Sequence, residues 1–121
     1  MTYNGFEYNE YGVCTNPEIS YQFGRPPKDY FKIRVSETPR GWVCGFNWGR
    51  LTSGGGGPCC WSASEVFETK SKAIVDAAEF IKKHFEERPR NAAVVAELDR
   101  IISEESKHRP TLKQYSIFDY L

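Results

Sequence analysis

At 121 residues the chain has the length of one domain. Lys+Arg and Asp+Glu both total 16, so the formal net charge is zero. That balance speaks against a protein living on nucleic-acid phosphates, which needs cations, and against an acidic mimic of DNA. Hydrophobic residues at 40% and aromatics at 15% supply a core and exclude disorder over the whole length.

The first residues, Met1-Thr-Tyr-Asn-Gly-Phe-Glu, form neither a basic n-region nor an apolar run, so no signal peptide is expected. No stretch has the length of a membrane span. A cytoplasmic location follows as the expectation, with Cys14, Cys44, Cys59 and Cys60 as thiols.

Residues 1–17 are polar and aromatic, with turn signals at Asn4-Gly5, Tyr11-Gly12 and Asn16-Pro17, and read as an irregular arm. Glu18 to Phe23 alternates weakly through Ile19, Tyr21 and Phe23 as a short strand, broken by Gly24-Arg25-Pro26-Pro27. Tyr30 to Ser36 is the clearest strand, with Phe31, Ile33 and Val35 on one face and Lys32, Arg34 and Ser36 on the other. Thr38-Pro39-Arg40-Gly41 turns the chain into a second strand, Trp42 to Trp48, predicting an antiparallel hairpin. Trp42, Cys44, Phe46 and Trp48 share a face of it.

Gly49 to Pro58 reads as a mobile loop centred on Gly54, Gly55, Gly56 and Gly57, because four glycines lose much backbone freedom on ordering. Cys59 to Phe67 is expected to resume as a third strand of the hairpin system. Helical spacing of Ile74, Ala77, Ala78, Ile81 and Phe85 predicts a helix from Ser71 to Glu87, capped by Thr69 or Ser71. A second helix runs from about Asn91 to Lys107, burying Val94 or Val95, Leu98, Ile101 and Ile102. The fold class is therefore α+β: a small antiparallel sheet of three or four strands against one or two C-terminal helices. It occupies 18–107, between the arm and a C-terminal peptide, 108–121.

Catalytic and metal chemistry find little purchase. Cys14, Cys44 and Cys59-Cys60 lack the short paired spacing of structural zinc ligands, and His84 and His108 sit in charged helical segments. Cys44 and one of the adjacent pair read as core filling, while zinc on Cys14, Cys44 and Cys59 stays an unsupported alternative. A thiol nucleophile needs a base in reach; His84 beside Cys59 or Cys60 is the one candidate pairing, and nothing local marks it. Gly49-Arg50-Leu51-Thr52-Ser53-Gly54 opens like a phosphate-binding loop, but Gly55 and Gly56 stand where Lys and Ser or Thr are needed. Trp42, Phe46, Trp48 and Trp61 suit base stacking only if solvent-facing, and core packing is the better reading. No enzyme, metal or cofactor is expected.

After Pro110 the peptide Thr111-Leu112-Lys113-Gln114-Tyr115-Ser116-Ile117-Phe118-Asp119-Tyr120-Leu121 carries more apolar groups than a frayed tail. Gln114-Tyr115-Ser116-Ile117-Phe118 resembles the bacterial sliding-clamp binding motif, whose usual form is Gln, an aliphatic residue, Ser or Asp, Leu, Phe. The resemblance implies that Gln114 hydrogen-bonds at a pocket rim, Ser116 sets the backbone, and Ile117 and Phe118 fill the pocket. Tyr115 and Ile117 replace the preferred Leu. Gln114, Ile117 and Tyr120 also partly match the archaeal and eukaryotic clamp motif, with Leu121 in place of its second aromatic. Folding back onto the sheet or second helix is the competing fate of the peptide. The chain as a whole loosely resembles small accessory proteins of phages and bacterial mobile elements, many of which end in a Gln-Leu-Ser-Leu-Phe-like peptide. Three functions follow as expectations: a clamp-associated accessory protein, an inhibitor contacting a host defence nuclease complex by its sheet edge or loop, and, last, a thiol or metal enzyme.

Overall fold

The computed structural model describes residues 1–25, 28–50, 53–61, 64–86 and 92–107. A four-stranded antiparallel sheet runs β3 (Glu18–Gly24), β4 (Tyr30–Thr38), β5 (Gly41–Gly49), β6 (Gly54–Gly57), in that spatial order. Before it stands a small hairpin, β1 (Thr2–Tyr3) and β2 (Phe6–Glu7); after it come α1 (Lys70–Phe85) and α2 (Ala92–Ser106). This is the expected α+β architecture.

Alternation in β4 and β5 does what the sequence implies. Phe31, Ile33 and Val35 are fully buried beneath the helices. Trp48 joins that core, and Trp42, Cys44 and Phe46 pack against it from the same side. The α1 stripe Ile74, Ala77, Ala78, Ile81 and Phe85 closes the core with Val94, Leu98 and Ile101 of α2. Thr69 caps α1 by accepting a hydrogen bond from Lys72 N at 3.1 Å. Two polar links lock α2 in place. Lys82 of α1 meets Asp99 at 2.7 Å. Glu105 accepts from the hydroxyls of both Tyr21 in β3 and Ser71 in α1.

β3 departs from simple alternation. A bulge between Ile19 and Tyr21 reverses the side-chain phase, so Tyr21 and Phe23 pack on the helical core while Ile19 is 54% exposed.

The glycine run is not the mobile loop that its composition suggests. It is strand β6, paired with Phe46 to Gly49, and the connection shrinks to residues 50–53. The missing side chains are what let it pair: a Cβ on Gly55 would crowd the Trp48 indole, and one on Gly54 the Trp48 carbonyl. Nor do the described residues between Cys59 and Phe67 form a strand. Among the described residues they make only isolated bridges, Val13 to Cys60 and Trp42 to Phe67.

The N-terminal arm is also more ordered than its composition implies. Asn4 and Gly5 both take positive φ, at 48° and 88°, as a two-residue hairpin turn requires. The arm then crosses the sheet face opposite the helices and builds a second core there from Tyr8, Cys14, Val43 and Cys59, flanked by Phe6, Trp61 and Val66. Residues Pro58 and Cys59 approach the sheet so closely that Gly45 has no room for a side chain.

Candidate functional site

Chemistry at the cysteines is governed by burial. Cys59 is 1% exposed in the second core, and its thiol is pushed up to about 12 by burial, against which nearby Arg34 works. Cys44, packed toward α1, is pushed up to about 11, again by burial first and then by the Asp76 carboxylate. Neither thiol is poised to ionise at neutral pH. Cys59 and Cys60, expected at the start of a strand, are instead both buried outside any strand.

The pairing of His84 with Cys59 fails on topology. His84 stacks on Trp48, ring centroids 4.2 Å apart at 18°, on the helical side of the sheet. Cys59 lies on the other side, against Gly45 and Val43. The sheet separates base from thiol. Among the described residues no group of three or more His, Cys, Asp or Glu is placed to hold a metal ion, and His108 lies outside them.

The stretch that opens like a phosphate loop is a hairpin connection. Gly49 pairs with Gly54, and Arg50 N donates to Ser53 O at 2.7 Å while Arg50 Nε donates to the Ser53 hydroxyl. A strand follows it where a phosphate loop is followed by a helix N-terminus.

What the structure does assemble is an aromatic margin beside β6, which the sequence reading missed. Phe80 of α1 is 46% exposed and packs on Phe46 and His84, with ring centroids 5.1 Å away in each case. Trp48 lies behind them, with the Arg50 guanidinium 5.7 Å from its ring centre. The available signal was Phe80 itself, a large aromatic just off the buried stripe of α1. Next to this margin, β6 is a sheet edge whose outer side pairs with no strand among the described residues. Such an edge offers backbone hydrogen-bond groups to an extended chain. Of the four aromatics weighed for base stacking, Trp42, Phe46 and Trp48 pack on the helical core and Trp61 on the second core.

The peptide residues Gln114, Tyr115, Ser116, Ile117, Phe118, Tyr120 and Leu121 lie outside the described residues. Among the described residues no helix is long and apolar enough to cross a membrane. No family model matches the chain, and neither a curated protein nor a solved structure does.

Proposed function

We propose that the chain is a non-enzymatic accessory protein that binds a protein partner through Gln114–Phe118, the partner being a sliding clamp of the bacterial type. One observation carries this reading. Gln114-Tyr115-Ser116-Ile117-Phe118 follows the residue order of the clamp-binding motif, inside a peptide that also carries Leu112, Tyr120 and Leu121. Its side chains gain most from a pocket on another molecule. In that pocket Ile117 and Phe118 contribute roughly 1.5–3 kcal/mol each on full burial. Ordering the peptide opposes this gain, so binding by one peptide is weak and reversible, and the several equivalent pockets of a ring raise it by avidity.

The test is a titration of purified clamp with the wild-type chain, with Phe118→Ala and with a chain lacking residues 112–121. Saturable binding that both changes abolish supports the reading. Binding that survives the deletion, or no binding by the wild type, overturns it.

A second reading, direct contact with a host nuclease complex, is favoured by the β6 edge, unpaired among the described residues, beside exposed Phe80. Gly57→Lys discriminates the two, since a Cβ at Gly57 meets nothing within 4 Å and a lysine there blocks strand addition. It spares clamp binding and impairs an edge-bound complex.

A further inference from the structure

Among the described residues the second core covers one end of the outer sheet face. At the other end the register sets Gln22 beside Lys32 and Lys32 beside Asn47, so three polar side chains from β3, β4 and β5 stand in a row. Tyr30, two residues from Lys32 and on the same face, lies across Gly49, where its ring occupies the space of a missing side chain. With Arg25 these residues line a cleft of about 260 Å³, below the usual range of drug-sized pockets at roughly 300–1,000 Å³.

Its charge is one-sided. Lys70, Lys72, Lys82 and Arg100 are all engaged by carboxylates. Among the described residues, Arg25 and Lys32 are in no ion pair, and no carboxylate lines the cleft. Arg34, one step along the strand, is held in place by Asn47 Oδ1 at 2.6 Å and Gly57 O at 3.1 Å, both uncharged acceptors. A zero net charge thus hides a local cationic face.

We propose that this cleft binds a nucleotide unit, with Lys32 and Arg25 on its phosphate, Tyr30 against its base, and Gln22 and Asn47 on the base edge. Each assignment follows from side-chain chemistry. Flexible ammonium and guanidinium groups replace phosphate counterions. A tyrosine ring stacks on any base. Side-chain amides carry both donors and acceptors and so match base edges. The cleft is independent of residues 112–121, and Phe118→Ala leaves it intact.

The same chemistry is present in a free nucleotide and in a single strand. Fluorescence anisotropy of the full chain at low salt with a labelled oligothymidylate of about eight nucleotides, and calorimetry with thymidine monophosphate, separate the two sources. Binding of either supports the site, and the ligand bound names the source. Lys32→Gln weakens binding and, on a strand, flattens the slope of log K against log salt by about 0.7. Tyr30→Ala costs roughly 5- to 150-fold, the equivalent of about 1–3 kcal/mol per stacked base. Gln22→Ala, at an exposed position, weakens binding without touching the core. Three results overturn the proposal: neither ligand binds; folded Lys32→Gln and Gln22→Ala both bind as the wild type does; or pyrophosphate, which has no base, competes as well as the nucleotide.

Discussion

Trp48 and Gly55 face each other across β5 and β6, and a Cβ on Gly55 would stand 3.0 Å from the Trp48 Nε1. A bulky core residue on one strand has been matched by an absent side chain on its neighbour. The same complementarity recurs between Tyr30 and Gly49 and between Gly45 and the Pro58-Cys59 backbone.

This predicts opposite outcomes for two glycine substitutions. At Gly45 an added Cβ would meet Cys59 N at 2.6 Å and Pro58 C at 2.7 Å, both main-chain atoms that cannot swing away. Gly45→Ala is expected to lower stability by about 1–3 kcal/mol. At Gly57 nothing lies within 4 Å, so Gly57→Ala leaves stability unchanged or raises it by less than about 1 kcal/mol. Urea unfolding midpoints check both.

The second core has a polar anchor. Tyr8 donates its hydroxyl to Glu37 O at 2.6 Å and accepts from the Ser36 hydroxyl at 2.9 Å, and Ser36 is fully buried. Tyr8→Phe takes a donor from Glu37 O and an acceptor from the Ser36 hydroxyl, at a cost of about 1–3 kcal/mol. Loss of amide-exchange protection confined to residues around Tyr8, Cys14 and Cys59 is the accompanying signature.

Alkaline pH should loosen the fold. The Cys44 and Cys59 thiols ionise near 9.0 when unfolded and near about 11 and about 12 when folded. Below 9.0 both states are protonated and their difference is fully retained. As pH rises past that value the unfolded chain releases protons first, and stability falls until the folded thiols also ionise. Burial raises the Tyr8 hydroxyl in the same direction. Unfolding midpoints between about pH 8 and about pH 10.5 test this window. A decline shallower in Cys59→Ala is expected, and an equal decline refutes the attribution.

Helix α1 depends on its cap. Thr69→Ala removes the acceptor for Lys72 N and is expected to cost about 1 kcal/mol, while Thr69→Ser restores most of it. Thermal unfolding followed by circular dichroism reads the difference.

The local periods of this chain were legible without a structure. Phe31-Ile33-Val35 and Trp42-Cys44-Phe46-Trp48 repeat every second residue, and Ile74 through Phe85 repeat at helical spacing, so each element could be assigned with its buried side. The sequence alone therefore determined two central strands, two helices and the core between them. Tertiary structure decided the rest. Strand β6 has no side chains to show a period, and its order comes from backbone pairing with the edge of β5. The β3 bulge depends on its register against β4. Neither the second core nor the cleft beside Lys32 is local, since Tyr8 reaches Ser36 across 28 positions and the cleft unites three strands. Periodicity reports which side of an element is apolar, whereas only the folded chain decides what comes to lie against the other side.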